Sequence, residues 1–242
     1  MSKGIYVALS GAVSQELALD VTAANVANST AAGYQRLRPQ FRRVLVAAGK
    51  RADLRFGGVA GTSVDVAPGT IRQTGRPMDL ALPAGSYLGV ATPRGERYTR
   101  CGALTIGGDG SVRTTGGALV AGEDGQPLKV DPTAAANVRV DASGAIFNGS
   151  AAVGKLRLVK FPSPAQLAHE GAGLFGIGGG GAPEPSKDPV EVGFLEESNA
   201  SPVQSMTELL MATRTFEAFQ RAIEAFGEVD RKILTVPTVN DG

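Results

Sequence analysis

The apolar positions of this chain follow one period at its two ends and another between them. From Ile5 to Asn28 there is no Pro, and Gly11 is the only breaker after Gly4. Ile5, Leu9, Ala12, Glu16, Leu19, Ala23 and Val26 step by four and three, which sets them in a row on one helix face. Only Glu16 in that row is charged, and Ala8, Ala18, Ala24 and Ala27 surround it. Small side chains favour helicity and let neighbouring helix axes approach closely. The pattern predicts a helix that stops near Asn28, with Gly33 just beyond. At the other end, Ser201-Pro202-Val203-Gln204 places Ser at the N-cap, Pro at the first helical position and Gln at the third. Leu209, Ala212, Phe216, Phe219, Ile223, Phe226, Asp230 and Ile233 then repeat the four-three spacing, with Gly227 inside the segment and Pro237 closing it.

The middle of the chain changes period. Short apolar or alternating runs stand at 63–66, 78–82, 87–91, 103–106, 118–121, 128–130, 138–140, 145–147 and 155–161. Pro93-Arg94-Gly95, Gly107 to Gly110, Gly116-Gly117, Glu123-Asp124-Gly125 and Ser143-Gly144 separate them. Asp-Gly and Gly-Gly between such runs are hairpin chemistry, because those turns require positive φ. The chain therefore divides into an N-terminal helix at 1–35, an extended connector at 36–75, an antiparallel β-domain at 76–175, a Gly/Pro-rich return linker at 176–200 and a C-terminal helix at 201–242. The expected fold class is α+β, with the two terminal helices pairing as a coiled-coil-like module around a central antiparallel β-domain. Helices of this kind are marginal alone, so their apolar rows must be buried against each other, the sheet or other chains.

Composition narrows the function. The 242 residues carry 24 Lys plus Arg against 23 Asp plus Glu, a formal charge of +1, which gives no long-range field for nucleic acid or an anionic membrane. No run approaches eighteen consecutive apolar residues, so no membrane insertion is expected. The start of the chain lacks the unbroken apolar stretch of a secretory signal, because Ser14, Gln15 and Glu16 interrupt it; ordinary secretion rules then place the protein in the cytoplasm. One Cys (Cys101) and one His (His169) exclude a Cys/His zinc cluster, and no metal or cofactor is expected.

The remaining candidate chemistry is sparse. Gly176 to Gly181 formally satisfies a GxGxxG pattern, but Pro183 and Pro185 forbid the helix that a dinucleotide site needs, so the stretch reads as linker. Glu196-Glu197 precedes a helix N-cap and reads as helix-end electrostatics. Cys101 reads as a buried small hydrophobe and His169 as a solvated turn residue. A hydrolase would have to use Asp79 and Asp141, the only carboxylates placed for it, and with no Trp and no acidic cluster a carbohydrate-binding module is equally unsupported. No catalytic residue is assigned, and no enzyme is expected.

Five segments carry a family resemblance, in order along the chain. Asn25-Val26-Ala27-Asn28, followed by Gly33-Tyr34, resembles the helix end and Gly-aromatic pair of the bacterial flagellar rod and hook proteins. Gly75 to Leu82 resembles the entry to that family's β-domain, and Arg97 to Leu104 its Tyr-Thr-Arg-Asn-Gly segment, with Cys101 where the family has Asn. Gly193-Phe194-Leu195-Glu196-Glu197-Ser198-Asn199 resembles its Gly-x-Leu-Glu-x-Ser-Asn run. Arg214 to Glu217 sits where the family has Arg-x-aromatic-Glu. The short chain with one small β-domain is most similar to a proximal rod member; a distal rod or hook-type subunit is the alternative.

That resemblance implies a structural subunit of the axial rod, which crosses the periplasm and transmits motor torque to the hook. It implies export through the flagellar type III apparatus without a cleaved signal, which displaces the cytoplasmic expectation. It implies that partners are other rod proteins and copies of the chain itself. The polymerisation interface would then be Ile5, Leu9, Ala12, Leu19 and Val26 with Leu209, Phe216, Phe219, Ile223 and Phe226, and the family-motif residues Asn25, Asn28, Gly33, Tyr34, Leu195, Glu196, Ser198 and Asn199.

Overall fold

A computed structural model of the chain describes residues 3–46, 54–132, 137–163, 167–178 and 181–235. Pro237 and the glycines at 179 and 180 lie outside the described residues, as do the side chains of Asp230 and Ile233. The fold is α+β, and its strands pair antiparallel wherever a register is defined. Two compact units divide it.

The first unit comprises 1–26, 37–62 and 202–242. It holds helix α1 (Lys3–Ala27), helix α2 (Pro202–Thr235) and the body of a two-stranded ribbon, β1 (Leu37–Val46) with β2 (Leu54–Val64). Residues 36–75, read as an extended connector, thus contain a paired ribbon. The helices run antiparallel. A Cβ added at Gly4 would lie 2.6 Å from Cζ of Phe226, and one at Gly11 would lie 2.6 Å from Cζ of Phe219. Two glycines one heptad apart therefore receive two phenylalanines one heptad apart.

This seam rotates α1 by one residue from the row that its large apolar side chains draw. Ala8, Ala12, Val21, Thr22 and Asn25 are buried, whereas Leu9, Glu16 and Ala23 are exposed. The cause is shape: a phenyl ring needs a groove, and Gly4 and Gly11 supply one where Leu9 would hold the axes apart. On α2 the row follows the sequence pattern: Ala212 is buried and Leu209, Phe216, Phe219, Ile223 and Phe226 are half-buried.

The second unit comprises 27–36 and 63–201. Its strands are β3 (Ile71–Gln73), β4 (Leu80–Ala81), β5 (Ser86–Thr92), β6 (Gly95–Thr99), β7 (Leu104–Ile106), β8 (Val112–Thr114), β9 (Leu119–Val120), β10 (Val138–Val140), β11 (Ala145–Asn148), β12 (Ala151–Lys155), β13 (Leu158–Lys160), β14 (Leu167–His169), β15 (Phe175–Ile177), β16 (Glu184–Pro185), β17 (Glu191–Val192) and β18 (Phe194–Glu196). The largest sheet runs β14-β15-β6-β5-β9-β8-β7, with β13 pairing both β5 and β16. β10, β11 and β12 form a separate three-stranded sheet.

Two apolar groups fill this unit. Leu80, Leu88, Leu104, Val112, Val120, Ile146 and Leu156 centre the larger one, each fully buried or nearly so. Tyr87, Tyr98, Phe161 and Phe175 make the smaller one through edge-to-face ring contacts at 5.1 to 5.6 Å between centroids. Residues 176–200, read as a return linker, are stitched back into the unit: β15 pairs with β14, β16 with β13, β17 with β4 and β18 with β3. Gly176 of the GxGxxG pattern belongs to β15.

Candidate functional site

The motif residues that are far apart in sequence converge inside the second unit. Arg100 sits just past β6 and Glu196 ends β18, and both are about 95% buried. Burying either charge alone would cost several kcal/mol, so both must be satisfied in full. They are. Arg100 Nε donates to Glu196 Oε2 at 2.8 Å, and its Nη2 donates to the same oxygen. Nη1 donates to the carbonyls of Ser86 (2.6 Å) and Pro83 (3.1 Å), and Nη2 also to that of Leu82 (3.2 Å). Every guanidinium N–H thus has an acceptor, the use for which a planar fork is suited.

Glu196 is tied equally well. Its Oε1 accepts from Gly69 N at 2.9 Å, and its backbone carbonyl accepts from Gly33 N at 2.7 Å. Gly33 adopts φ +64°, and a Cβ there would overlap the Arg100 carbonyl and stand 2.7 Å from Cys101 N. Close approach and left-handed backbone together explain a glycine at this position. Beside it, Gln35 Oε1 accepts from the Tyr87 hydroxyl at 3.0 Å. Burial raises the Tyr87 phenol above its ordinary pKa, against the smaller opposing effect of Gln35.

Asn199 forms the neighbouring knot. Its Oδ1 accepts from Arg36 N (2.6 Å) while its Nδ2 donates to the carbonyls of Asp65 (2.9 Å) and Ala67 (2.7 Å). Asn199 N donates to Tyr34 O at 3.2 Å, and Tyr34 is buried. Ser198 Oγ accepts from Ala200 N, and Leu195 is buried on β18. Asn28 accepts from Ala31 N through its carbonyl in the turn that leads to Gly33. Asn25 works inside the first unit, where its Nδ2 and Oδ1 bond the carbonyl (2.8 Å) and N–H (2.9 Å) of Leu37. A short amide that copies a backbone strand on both sides pins β1 to α1.

Several readings of single residues change. Glu196 and Glu197 do not serve the helix end: Glu196 takes Arg100, and Glu197 takes Arg72 at 2.8 Å on the surface. Cys101 is half-buried with its Sγ 3.6 Å from Thr115 Oγ1, because it faces a cleft and not the core. His169 stands on β14, half-buried, edge-on to Phe175 at 5.8 Å; burial lowers its pKa below the usual 6.5. Asp79 is 1% exposed with Arg76 Nε at 3.9 Å. Asp141 Oδ1 accepts from Ser143 Oγ, Ser143 N and Ala145 N, and the Ser143 hydroxyl leads in lowering its pKa. A general acid needs the opposite shift. The cleft beside Gly33, of about 310 Å³, is lined by groups such as Tyr34, Thr99, Cys101, Thr115 and Leu174, and no charged side chain is among them. Among the described residues no three His, Cys, Asp or Glu side chains gather to hold a metal. The convergence therefore does mechanical work, tying three remote segments together.

Arg100 and Gln35 were not assigned roles from sequence, although Arg100 lies in a quoted motif. A buried arginine whose partner is 96 residues away leaves no local pattern.

Comparison with known proteins follows the same geography. Residues 5–35 match the family described as flagella basal body rod protein, and residues 191–236 match the flagellar basal body rod FlgEFG protein C-terminal family. Gly33 lies in the first match and Glu196 in the second. The flagellar basal-body rod protein FlgF of Mesorhizobium japonicum is 31% identical over 90% of this chain and 90% of its own. That of Escherichia coli is 32% identical, covering 93% and 94%. The flagellar basal-body rod protein FlgG of Bacillus subtilis is 26% identical, covering 98% and 99%.

Proposed function

The chain belongs to the flagellar basal-body rod protein family, and from that premise we propose that it is an FlgF-like subunit of the proximal rod that assembles through its terminal helices. Assembly with itself and with other rod proteins builds an axial shaft that carries motor torque to the hook. The subunit leaves the cytoplasm through the flagellar type III export apparatus, without a cleaved signal. The family membership rests on the relatives above. The observation that carries the mechanism is the antiparallel pairing of the two chain ends, Gly4 and Gly11 against Phe226 and Phe219.

Two sets of helix residues have different tasks in this reading. Ala12, Phe216, Phe219, Ile223 and Phe226, with Ile5 beside Ile223 and Gly227, hold the two helices of one chain together. Leu9, 52% exposed, faces outward to a neighbouring subunit. The half-buried Leu19, Val26 and Leu209 contribute to the paired hairpin as a whole. Within the β-unit, Arg100–Glu196 and Asn199 tie the first and last segments together, so that the unit can bear load without opening. The test is a Phe219→Asp protein supplied to a strain lacking this gene. A charge in a tight seam should abolish swimming while the protein accumulates with a protease-resistant β-unit. Normal swimming overturns the reading.

A further inference from the structure

The β-unit carries another cleft, of about 370 Å³, beside β13 and β16. Lys155, Arg157 and Lys187 line it, and Glu123 is the one acid in the lining. Three cations against one carboxylate give the lining a charge of +2, in a chain whose formal charge is +1. Local backbone puts these groups there. Lys155 and Arg157 flank Leu156, which is buried in the larger apolar group, so the two cations project from the opposite side of an extended chain. The other wall is the segment 183–187. β16 pairs with β13, Ser186 N donates to the Leu158 carbonyl at 2.8 Å, and Ser186 Oγ lies 3.0 Å from Ser86 Oγ. Lys187 follows directly on that anchored residue. Pro183 and Pro185 stiffen the backbone before it and turn apolar ring surface to the cleft.

The three cations are not equally satisfied. Lys155 meets Glu123 at 2.8 Å with both side chains well exposed, a pair that adds little stability, so another carboxylate can displace it at small cost. Arg157 is held in place by Glu96 and by the Glu123 carbonyl, to which its Nη1 donates at 3.3 Å. Lys187 is exposed and has no carboxylate within ion-pair distance among the described residues, since its neighbour Asp188 is taken by Lys160.

We infer that this cleft docks an acidic peptide segment of a partner protein, with one carboxylate on Lys187 and another on Lys155 and Arg157. The inference stands apart from the rod reading, because it concerns only the β-unit. A concave site with low-dielectric walls focuses the field of its cations, which a convex surface would lose to water. Glu123 in the lining and a nearly neutral chain disfavour a phosphate backbone, whose binding draws on many basic contacts. The Pro183 and Pro185 rings give an apolar strip that a peptide side chain can cover and a free anion cannot use. Pro185 has no N–H to offer at the edge of β16, so the segment is held by side chains and not by strand addition. The ion pairs are few and lie at a wet rim, so the contact is weak and salt-sensitive.

The test follows the fluorescence anisotropy of a dye-labelled peptide of alternating Glu and Val, titrated with the full chain, beside the same peptide with Gln for every Glu. The Glu peptide should bind, more weakly as salt is raised, and the Gln peptide should bind about tenfold more weakly or not at all. Lys187→Gln should weaken the Glu peptide about fivefold and Lys187→Glu about tenfold or more. Lys129→Gln, which removes an exposed cation outside the cleft, should leave it unchanged. Circular dichroism checks each variant, and Lys155→Gln repeats the loss should Lys187→Glu disturb the fold. Equal binding of the Glu and Gln peptides overturns the site, as does full binding to a folded Lys187→Glu chain. Inorganic phosphate that displaces the peptide at equal concentration overturns a peptide ligand, as does a single-stranded oligonucleotide that displaces it at lower concentration. Self-association of the chain that the Glu peptide abolishes would seat a second copy in the cleft and overturn a separate partner.

Discussion

The helical unit and the β-unit are held together by opposite means. The helical seam is a match of shapes: two glycines receive two phenyl rings, small alanines fill the rest, and large apolar side chains such as Leu9, Val13, Leu210 and Met211 remain in water. The β-unit encloses its apolar side chains and adds a buried ion pair whose remaining hydrogen-bonding groups are all taken by backbone. A seam made of shape is cheap to open and to remake, since separation strands no charge. A junction of buried charge stays closed, because opening it exposes or orphans Arg100 and Glu196 together.

Breaking the polar junction should have the largest effect. Arg100→Met leaves Glu196 buried without its cation and takes one donor from each of three carbonyls, and should cost about 3–5 kcal/mol in denaturant unfolding of the β-unit. The Arg100→Met/Glu196→Leu double variant should recover part of that loss; if the double is as unstable as the sum of both singles, the pair is not the coupled unit described here.

Overfilling the helical seam should come next and leave the other unit alone. Gly11→Leu drives a side chain into the Phe219 ring, an overpacking worth about 1–3 kcal/mol. Hydrogen exchange should speed up in α1 and α2 while β5 and β6 keep their protection; equal loss in both units would show that the two are not independently held. In the unaltered monomer the same contrast predicts that mild proteolysis trims residues 1–33 and those beyond 201 before it cuts the β-unit. Chains that survive whole would contradict it.

Asn199→Ala removes one side chain that serves three backbone groups and should cost about 1–3 kcal/mol, less than Arg100→Met because no charge is orphaned. The smallest effect is that of pH. The pKa of His169 is lowered by burial, so the folded state binds its proton less readily than the unfolded chain. Its contribution is present above about pH 6.5 and is lost as pH falls below that value. Thermal melts between pH 7.5 and 5.5 should show a small destabilisation that His169→Phe removes; an unchanged slope would place the effect elsewhere. Glu170, held low first by Arg97, and Asp141, held low first by Ser143, act in a lower window: their contributions are lost only as pH falls through the acid range.

What local pattern governs was legible before any coordinates. The start of α2 at Pro202 follows from Ser201-Pro202, and the stop of α1 at Ala27 from the Asn28-to-Gly33 turn, since caps and breakers act over a few residues. Strands such as β5, β7, β10 and β11 fall on runs whose alternation and Gly-rich turns announce them. The α2 row was readable because the large side chains in it, such as Phe219 and Phe226, are the ones that pack against α1. On α1 the two differ: periodicity alone points to Ile5 and Leu9, and only the phenyl rings arriving from a segment some two hundred residues later decide that Gly4 and Gly11 face inward. β14 to β18 were hidden for a related reason, because strands of two or three residues in a Gly/Pro stretch gain their order from partners and not from their own propensity. Glu196 was misassigned on the same ground. A carboxylate before a helix has a local use, and nothing nearby in the chain shows that Arg100 takes it instead. Short-range stereochemistry is written in the sequence itself; which remote groups share a buried space is settled only when packing and charge must be satisfied together.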